Sequence, residues 1–204
     1  MTLYIVSEDQ LSEAVMRKMV VKSLSTRIKD IVPMGKKGRG YIKKRINDLN
    51  NQNTLPFFVL ADLDQDECAP VLIKNWIKRP LQQNIVFRFA VREVESWLLA
   101  DTEGFSHYTK LEHSLIKKEV DTPDELPDPK EKLIALIDRC KNRSLKNDIV
   151  RKENFSYKQG PGYNSRLIDY VDNYWEIERA TLVSESLKKA IDALYQFRLG
   201  IIKD

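Results

Sequence analysis

The chain has 204 residues, 42% of them hydrophobic and 31% charged. That is enough for one full globular domain with a helical annex and a real buried core. No run reaches the ~20 apolar residues that a bilayer span requires, and Leu3 already opens a strand-like run with no basic region or cleavage site ahead of it, so neither anchor nor signal peptide is expected. A net charge of +4 permits a polyanionic partner without arguing for one.

Cys68 and Cys140 have no CxxC spacing and are read as free thiols of a reducing, cytoplasmic compartment. His107 and His113 stand in neither an HxH nor an HExxH context, which leaves zinc catalysis and a histidine base without support.

In chain order, Leu3–Val6 predicts a strand, Leu11–Leu24 an amphipathic helix, and Arg27–Pro33 a second strand ended by proline. Gly35-Lys-Lys-Gly-Arg-Gly40 makes a turn, and Tyr41–Leu49 a helix with Ile42, Ile46 and Leu49 on one side. Pro56 introduces a third strand, Phe57–Ala61. A helix at Ala69–Lys78, a fourth strand at Asn84–Val91 and a helix at Glu93–Ala100 follow. Strands alternating with helices imply an α/β fold, a mainly parallel sheet with helices on both faces. After Asp101 the alternation stops. Residues 104–130 are polar and carry Pro123, Pro127 and Pro129, which predicts an irregular insertion. Helices are expected at Lys130–Lys141, Tyr163–Trp175 and Glu185–Gly200, with Gly160-Pro-Gly162 as a loop between. The expected organisation is an α/β core over 1–101 and a mostly helical C-terminal half over 102–204, packed on the core as one compact unit.

Acids end two of the strands. Glu8-Asp9 follows the first, and Asp62-Leu-Asp64 the third. The carboxyl ends of strands in open α/β sheets are where ligands gather. Residues two apart on an extended segment face the same way, so Asp62 and Asp64 are expected to aim at one point. Glu8 from a neighbouring strand end would complete an all-oxygen set suited to Mg²⁺ or Mn²⁺, with Asp9 as a further ligand. A single such acid would be read as a helix cap; three at strand ends are read as a metal site. Asp62-Leu-Asp64-Gln-Asp66 starts like an EF-hand loop, but Glu67 and Ile73 stand where that loop needs glycine and glutamate.

Arg92 and Glu95 lie three apart at the start of a helix. Either they form a structural ion pair, or Glu95 is a catalytic group, a metal ligand or a base that orients water. Asp101 ends the same helix, where its charge opposes the dipole; either it has a partner or it is simply solvated. Lys36, Lys37, Arg39 and Lys43 surround a glycine-rich turn at a helix N-terminus, which is either a phosphate grip or a solvated face. The turn is not GxxxxGK[ST], so ATP binding does not follow. Trp76, Trp97 and Trp175 are expected in the core, with no aromatic ladder for single-stranded bases.

A glutamate after the first strand and a DxD after the third resemble the Toprim fold. Topoisomerases, primases, recombination proteins and the overcoming-lysogenization-defect (OLD) nucleases share that fold. Longer stretches are more specific: Val6-Ser-Glu8-Asp9-Gln-Leu-Ser-Glu13-Ala-Val, Leu60-Ala-Asp62-Leu-Asp64, Val91-Arg92-Glu93-Val-Glu95-Ser-Trp97-Leu-Leu-Ala-Asp101, Leu126-Pro-Asp-Pro-Lys130 and Gly160-Pro-Gly162-Tyr163-Asn164. In this order they resemble a bacterial Toprim-like family, related to the OLD-type nucleases and defined by fold and motif rather than by reaction. The match runs from Leu3 to Leu194. The resemblance makes Glu8 the Toprim glutamate and Asp62 and Asp64 its aspartate pair. It implies Mg²⁺- or Mn²⁺-dependent phosphodiester hydrolysis on nucleic acid, with a pair of ions stabilising the attacking water and the leaving oxygen. It also implies an ABC-type ATPase partner and a role in phage defence or DNA repair. Asp9 departs from the family pattern, since many Toprim proteins have glycine there. Two alternatives belong to other classes. One is a non-catalytic nucleic-acid-binding or regulatory subunit that keeps the fold. The other, a phosphoacceptor receiver, needs a lysine after a fifth strand that the sequence does not supply.

Overall fold

Short runs of Val, Ile, Leu and Phe pair into one parallel sheet, and the polar stretches between them close as helices. The computed structural model describes every residue except 25–27, 36, 53, 66–67, 155 and 203–204, and only the backbone of 198–202. It divides into two compact units, Met1–Val91 with Lys188–Asp204, and Arg92–Leu187.

In the first unit β1 (Thr2–Val6), α1 (Gln10–Leu24), β2 (Asp30–Pro33), α2 (Arg39–Leu49), β3 (Phe57–Asp62), α3 (Ala69–Trp76) and β4 (Ile85–Ala90) follow one another. The strands lie in the order β2-β1-β3-β4, all parallel. Parallel neighbours need crossovers, and the rule for βαβ units is a right-handed one. The reversal of direction after β2 therefore puts α1 on one face of the sheet and α2 and α3 on the other. On the second face Ile42, Ile46 and Leu49 of α2 and Trp76 of α3 close over Val6, Phe57, Val59, Phe87 and Phe89. On the first face Leu3 and Ile5, which alternate with Tyr4 and Val6, are covered by Leu11, Val15, Met16 and Met19 of α1. β3 is buried at all six positions because it is central and covered twice. The edge strand β2 is short, mostly exposed and ended by Pro33, as an unpaired edge tolerates. It is shorter than expected, starting at Asp30; Arg27 lies outside the described residues.

The second unit contains α4 (Val94–Ala100), α5 (Thr102–Thr109), α6 (His113–Glu119), α7 (Pro129–Asp138), α8 (Arg143–Ile149), the hairpin β5 (Val150–Glu153) and β6 (Ser156–Gln159), α9 (Tyr163–Asn173) and α10 (Ile177–Ala180). The last helix, α11 (Glu185–Ile202), starts here and passes into the first unit. The division thus falls after Val91, not at Asp101, and α11 returns to the sheet-bearing unit. The physical reason is that α4 buries Val94, Trp97, Leu98 and Leu99 among α5, α7 and α10 of its own unit.

One expectation needs correction here. The stretch 104–130 is not irregular: α5, α6 and a 3₁₀ turn at Pro123–Glu125 occupy much of it. Few residues in it are apolar, but Phe105, Ile116 and Val120 are fully or almost fully buried, and tertiary burial outweighs weak local propensity. Asp101 has the partner that its place at the end of α4 points to. It ends that helix and caps α5, accepting from the Gly104 amide at 3.0 Å. Its oxygens take the Arg179 guanidinium at 2.7 and 2.9 Å and the Glu176 amide at 2.7 Å. The side chain is wholly buried, and a forked guanidinium plus backbone donors are what a buried carboxylate requires. A Cβ on Gly104 would lie 2.3 Å from Asp101 Oδ2, so only glycine fits that position. Among the described residues no helix is long and apolar enough to cross a membrane.

Candidate metal and phosphate site at the strand ends

β1 and β3 are neighbours, so their C-terminal ends bring Glu8 and Asp62 together. The Asp62 amide donates to Glu8 Oε1 at 2.9 Å, which ties the two strand ends directly. Asp62 itself is buried at the last position of β3. The chain then turns. Leu63 donates to the Ala90 carbonyl at 2.9 Å, and Asp64 adopts a left-handed backbone, φ 53°. Aspartate is among the few residues that tolerate this conformation. The extended geometry expected for Asp62-Leu-Asp64 therefore stops at Asp62. Asp64 Oδ2 instead accepts from Arg39 at 2.9 Å.

Burial holds the Glu8 carboxyl above its ordinary range. Asp64 and Asp9 push the same way, while the Asp62 amide and Arg39 pull against them. The acids at this edge thus feel one another. Asp9 is engaged locally as well. Its Oδ1 accepts from the amide and the hydroxyl of Ser12, both at 2.8 Å, capping α1.

The donors available at the strand ends are carboxylate oxygens, the set a hard divalent cation takes. As the side chains stand, no group of three or more His, Cys, Asp or Glu among the described residues is disposed to hold an ion. Asp64 is held by Arg39 while its charge still acts on Glu8. The set fits Mg²⁺ or Mn²⁺ in kind, through Glu8 and Asp62 with Asp64 beside them.

The glycine-rich turn closes on the same edge. The Gly38 amide donates to the Glu8 carbonyl at 3.1 Å. Gly35 is held at φ 113°, where a Cβ would meet Tyr41 at 3.1 Å. Both the close approach and the backbone angle call for glycine. The turn delivers Arg39 to Asp64 and over Trp76, 5.2 Å from the ring centroid, with Lys43 on the same ring at 6.0 Å. Lys37 sits over Tyr41 at 5.7 Å. Trp76 is buried as expected, yet it also serves as the floor for two cations, a role that nothing in its local sequence signals. Lys36 lies outside the described residues, as do Asp66 and Glu67.

Glu95 belongs to the second unit and has its own surroundings there. It is buried, accepts from the Tyr163 hydroxyl at 2.7 Å and has Lys130 Nζ at 3.7 Å. Lys130 bonds more closely to Glu93, from Nζ at 2.8 Å and from its amide at 3.1 Å. Burial pushes the Glu95 carboxyl up to about 7; Glu93 adds to this, and Lys130 and Tyr163 oppose it. Glu95 Oε2 is buried without a hydrogen-bond partner. Sequence reasoning missed Lys130 and Tyr163 as its companions.

The fold is thus α/β: a four-stranded parallel sheet under helices, followed by a helical C-terminal half. The chain is similar in structure to the C-terminal region of the Burkholderia pseudomallei OLD protein, with a TM-score of 0.52 and 13% sequence identity, over 96% of this chain and 98% of that one. At that identity the likeness speaks for the fold. No protein-family model matches the chain, and neither does any curated protein sequence.

Proposed function

We propose that the protein is a divalent-metal-dependent phosphodiesterase acting on nucleic acid, a Toprim-type nuclease. The observation that carries this reading is the pairing of Glu8 with Asp62 at the carboxyl ends of two adjacent parallel strands, in a fold shared with an OLD C-terminal region. Glu8 and Asp62, with Asp64, would hold Mg²⁺ or Mn²⁺. The ion, when bound, supplies Lewis-acid stabilisation of charge on the phosphoryl oxygens. Arg39, Lys37 and Lys43 grip the phosphate backbone beside the acids, without regard to sequence. Glu95 is assigned the handling of a proton, as an acid whose proton is held near neutral pH. An ABC-type ATPase partner and a role in phage defence or DNA repair complete the proposal; both rest on the resemblance of the motifs. Incubating supercoiled plasmid and labelled oligonucleotides with Mn²⁺, Mg²⁺ or chelator tests the activity. Metal-dependent nicking or cleavage is expected, and loss of signal with Asp62→Asn assigns it to this chain.

A second reading has its own support. Asp64 is bound to Arg39 and Asp9 to α1, which suits a non-catalytic subunit that keeps the fold and binds nucleic acid. Nucleic-acid binding without cleavage at any metal concentration would select it.

The basic grip makes a separate prediction. Replacing Lys37, Arg39 and Lys43 with alanine should weaken binding to unrelated sequences alike. It should also lower the slope of log K against log salt by up to about three units, roughly one for each phosphate no longer neutralised. An unchanged slope in a titration by fluorescence anisotropy would move the binding surface elsewhere.

A further inference from the structure

The basic surplus of this chain sits in two stretches. Residues 36–45 carry six basic side chains and no acid, and residues 139–158 carry seven basic and two acidic ones. The rest of the chain holds 21 basic and 28 acidic side chains, so it is net negative by seven. The first stretch is the glycine-rich turn and helix beside the strand ends. The second belongs to the other unit and comprises the end of α7, α8 and the β5–β6 hairpin.

The hairpin has two chemically different faces. On the inner face Lys152 donates to Asp138 of α7 at 2.6 Å and stands 5.3 Å from the Tyr157 ring centroid; Lys146 reaches the same carboxylate at 3.7 Å. These contacts pin the ribbon to α7. On the outer face the antiparallel register sets Arg151 directly opposite Lys158. Both are exposed. Like charges placed opposite each other destabilise a strand pair, their Cβ atoms being only roughly 5 Å apart. Glu153 pairs with Arg151 and offsets part of this. Lys141, Arg143 and Lys158 are exposed and make no ion pair among the described residues. A two-stranded ribbon bearing facing cations is disfavoured in isolation and relieved by a polyanion laid along it.

We propose that the outer face of the β5–β6 hairpin, together with Lys141 and Arg143 of the exposed segment that leads into α8, is a second binding surface for the phosphate backbone of nucleic acid, separate from the glycine-rich turn. The occupant is chosen by charge complementarity: exposed cations facing each other on a narrow antiparallel ribbon, Lys158 among them without an ion pair, in the kind of element a duplex groove admits. Contacts of this kind position the duplex and carry no sequence information. This inference rests on the reading of the protein as a nucleic-acid binder and adds a second point of grip to it.

Two variants test it against a fluorescent duplex oligonucleotide, titrated at several salt concentrations. Neutralising Lys141, Arg143, Arg151 and Lys158 together as glutamine should cut affinity at least tenfold at low salt and lower the log–log salt slope by about two to four units. Lys158→Glu alone is the sharper test, because it puts a carboxylate opposite Arg151. It should raise or preserve the melting temperature while weakening duplex binding, a combination that misfolding cannot mimic. If both variants bind with wild-type affinity and slope while the Lys37/Arg39/Lys43 variant loses binding, the hairpin surface is overturned and the nucleic-acid reading stands. If the wild type binds neither duplex nor single strand, the nucleic-acid reading itself falls. Equal competition by polyglutamate and by DNA at the same salt would replace the duplex with an acidic protein partner and overturn the proposal.

Discussion

Asp62→Asn is expected to abolish the response to divalent metal and to cut the cleavage reaction sharply. In the wild type, Mn²⁺ or Mg²⁺ should raise the melting temperature, since a ligand that binds only the folded chain stabilises it. The gain is about 2.7 kcal/mol at a metal concentration of about 100 times Kd, or roughly 5–10 °C for a chain of this size. The substitution is nearly isosteric, and the bond that joins the strand ends uses the Asp62 backbone amide, not its side chain. The architecture therefore persists while one ligand oxygen becomes an amide. Turnover should fall by about 10²–10³, the scale of a lost electrostatic stabiliser of the transition state. Thermal melting with and without metal, followed by a single-turnover assay on the same preparation, checks both. A variant that responds to metal as the wild type does would remove Asp62 from the site. A wild type that does not respond would favour the non-catalytic subunit.

Much of the sheet was legible in the sequence because its rules are local. Leu3–Val6 and Phe57–Ala61 are unbroken apolar runs of strand length, and buried parallel strands read that way. That Glu8 and Asp62 share one edge followed from alternation, since parallel strands all emerge there; that β1 and β3 are neighbours did not. Asp64 was not legible, because its left-handed backbone depends on how the chain leaves β3 rather than on the DxD spacing. The hairpin was missed for a related reason. Val150–Glu153 has one apolar residue and no alternation, and it is held by register and by Asp138, some distance back in the chain. α5 and α6 looked irregular because the partner that makes the first of them start well, Arg179 on Asp101, is 78 residues away. Where a contact bridges that much chain, local pattern carries no trace of it.

The surroundings of Glu95 were equally hidden, since Tyr163 lies 68 residues away from it, and they yield the other large expected effect. Folded Glu95 titrates near 7, above the ordinary glutamate value of 4.5 that it regains on unfolding. Between those values the folded chain binds more protons than the unfolded one. The stability that Glu95 contributes is therefore fully present below about 4.5, falls as pH rises and is lost by the time pH passes about 7, a difference on the order of 3 kcal/mol. Glu95→Gln removes the titration. The variant should melt close to the wild type near pH 5 and higher than it near pH 8, where the wild type keeps a buried charge. If Glu95 is merely structural, the substitution changes nothing else. If the Glu95 proton is used in the reaction, turnover per folded molecule should also fall by about 10²–10⁴ even though the fold is as stable or more so. Melting curves at both pH values, read beside single-turnover cleavage, separate the two. A stabilised variant with normal cleavage would confine Glu95 to the architecture of its own unit, and chemistry would then rest on the acids at the strand ends.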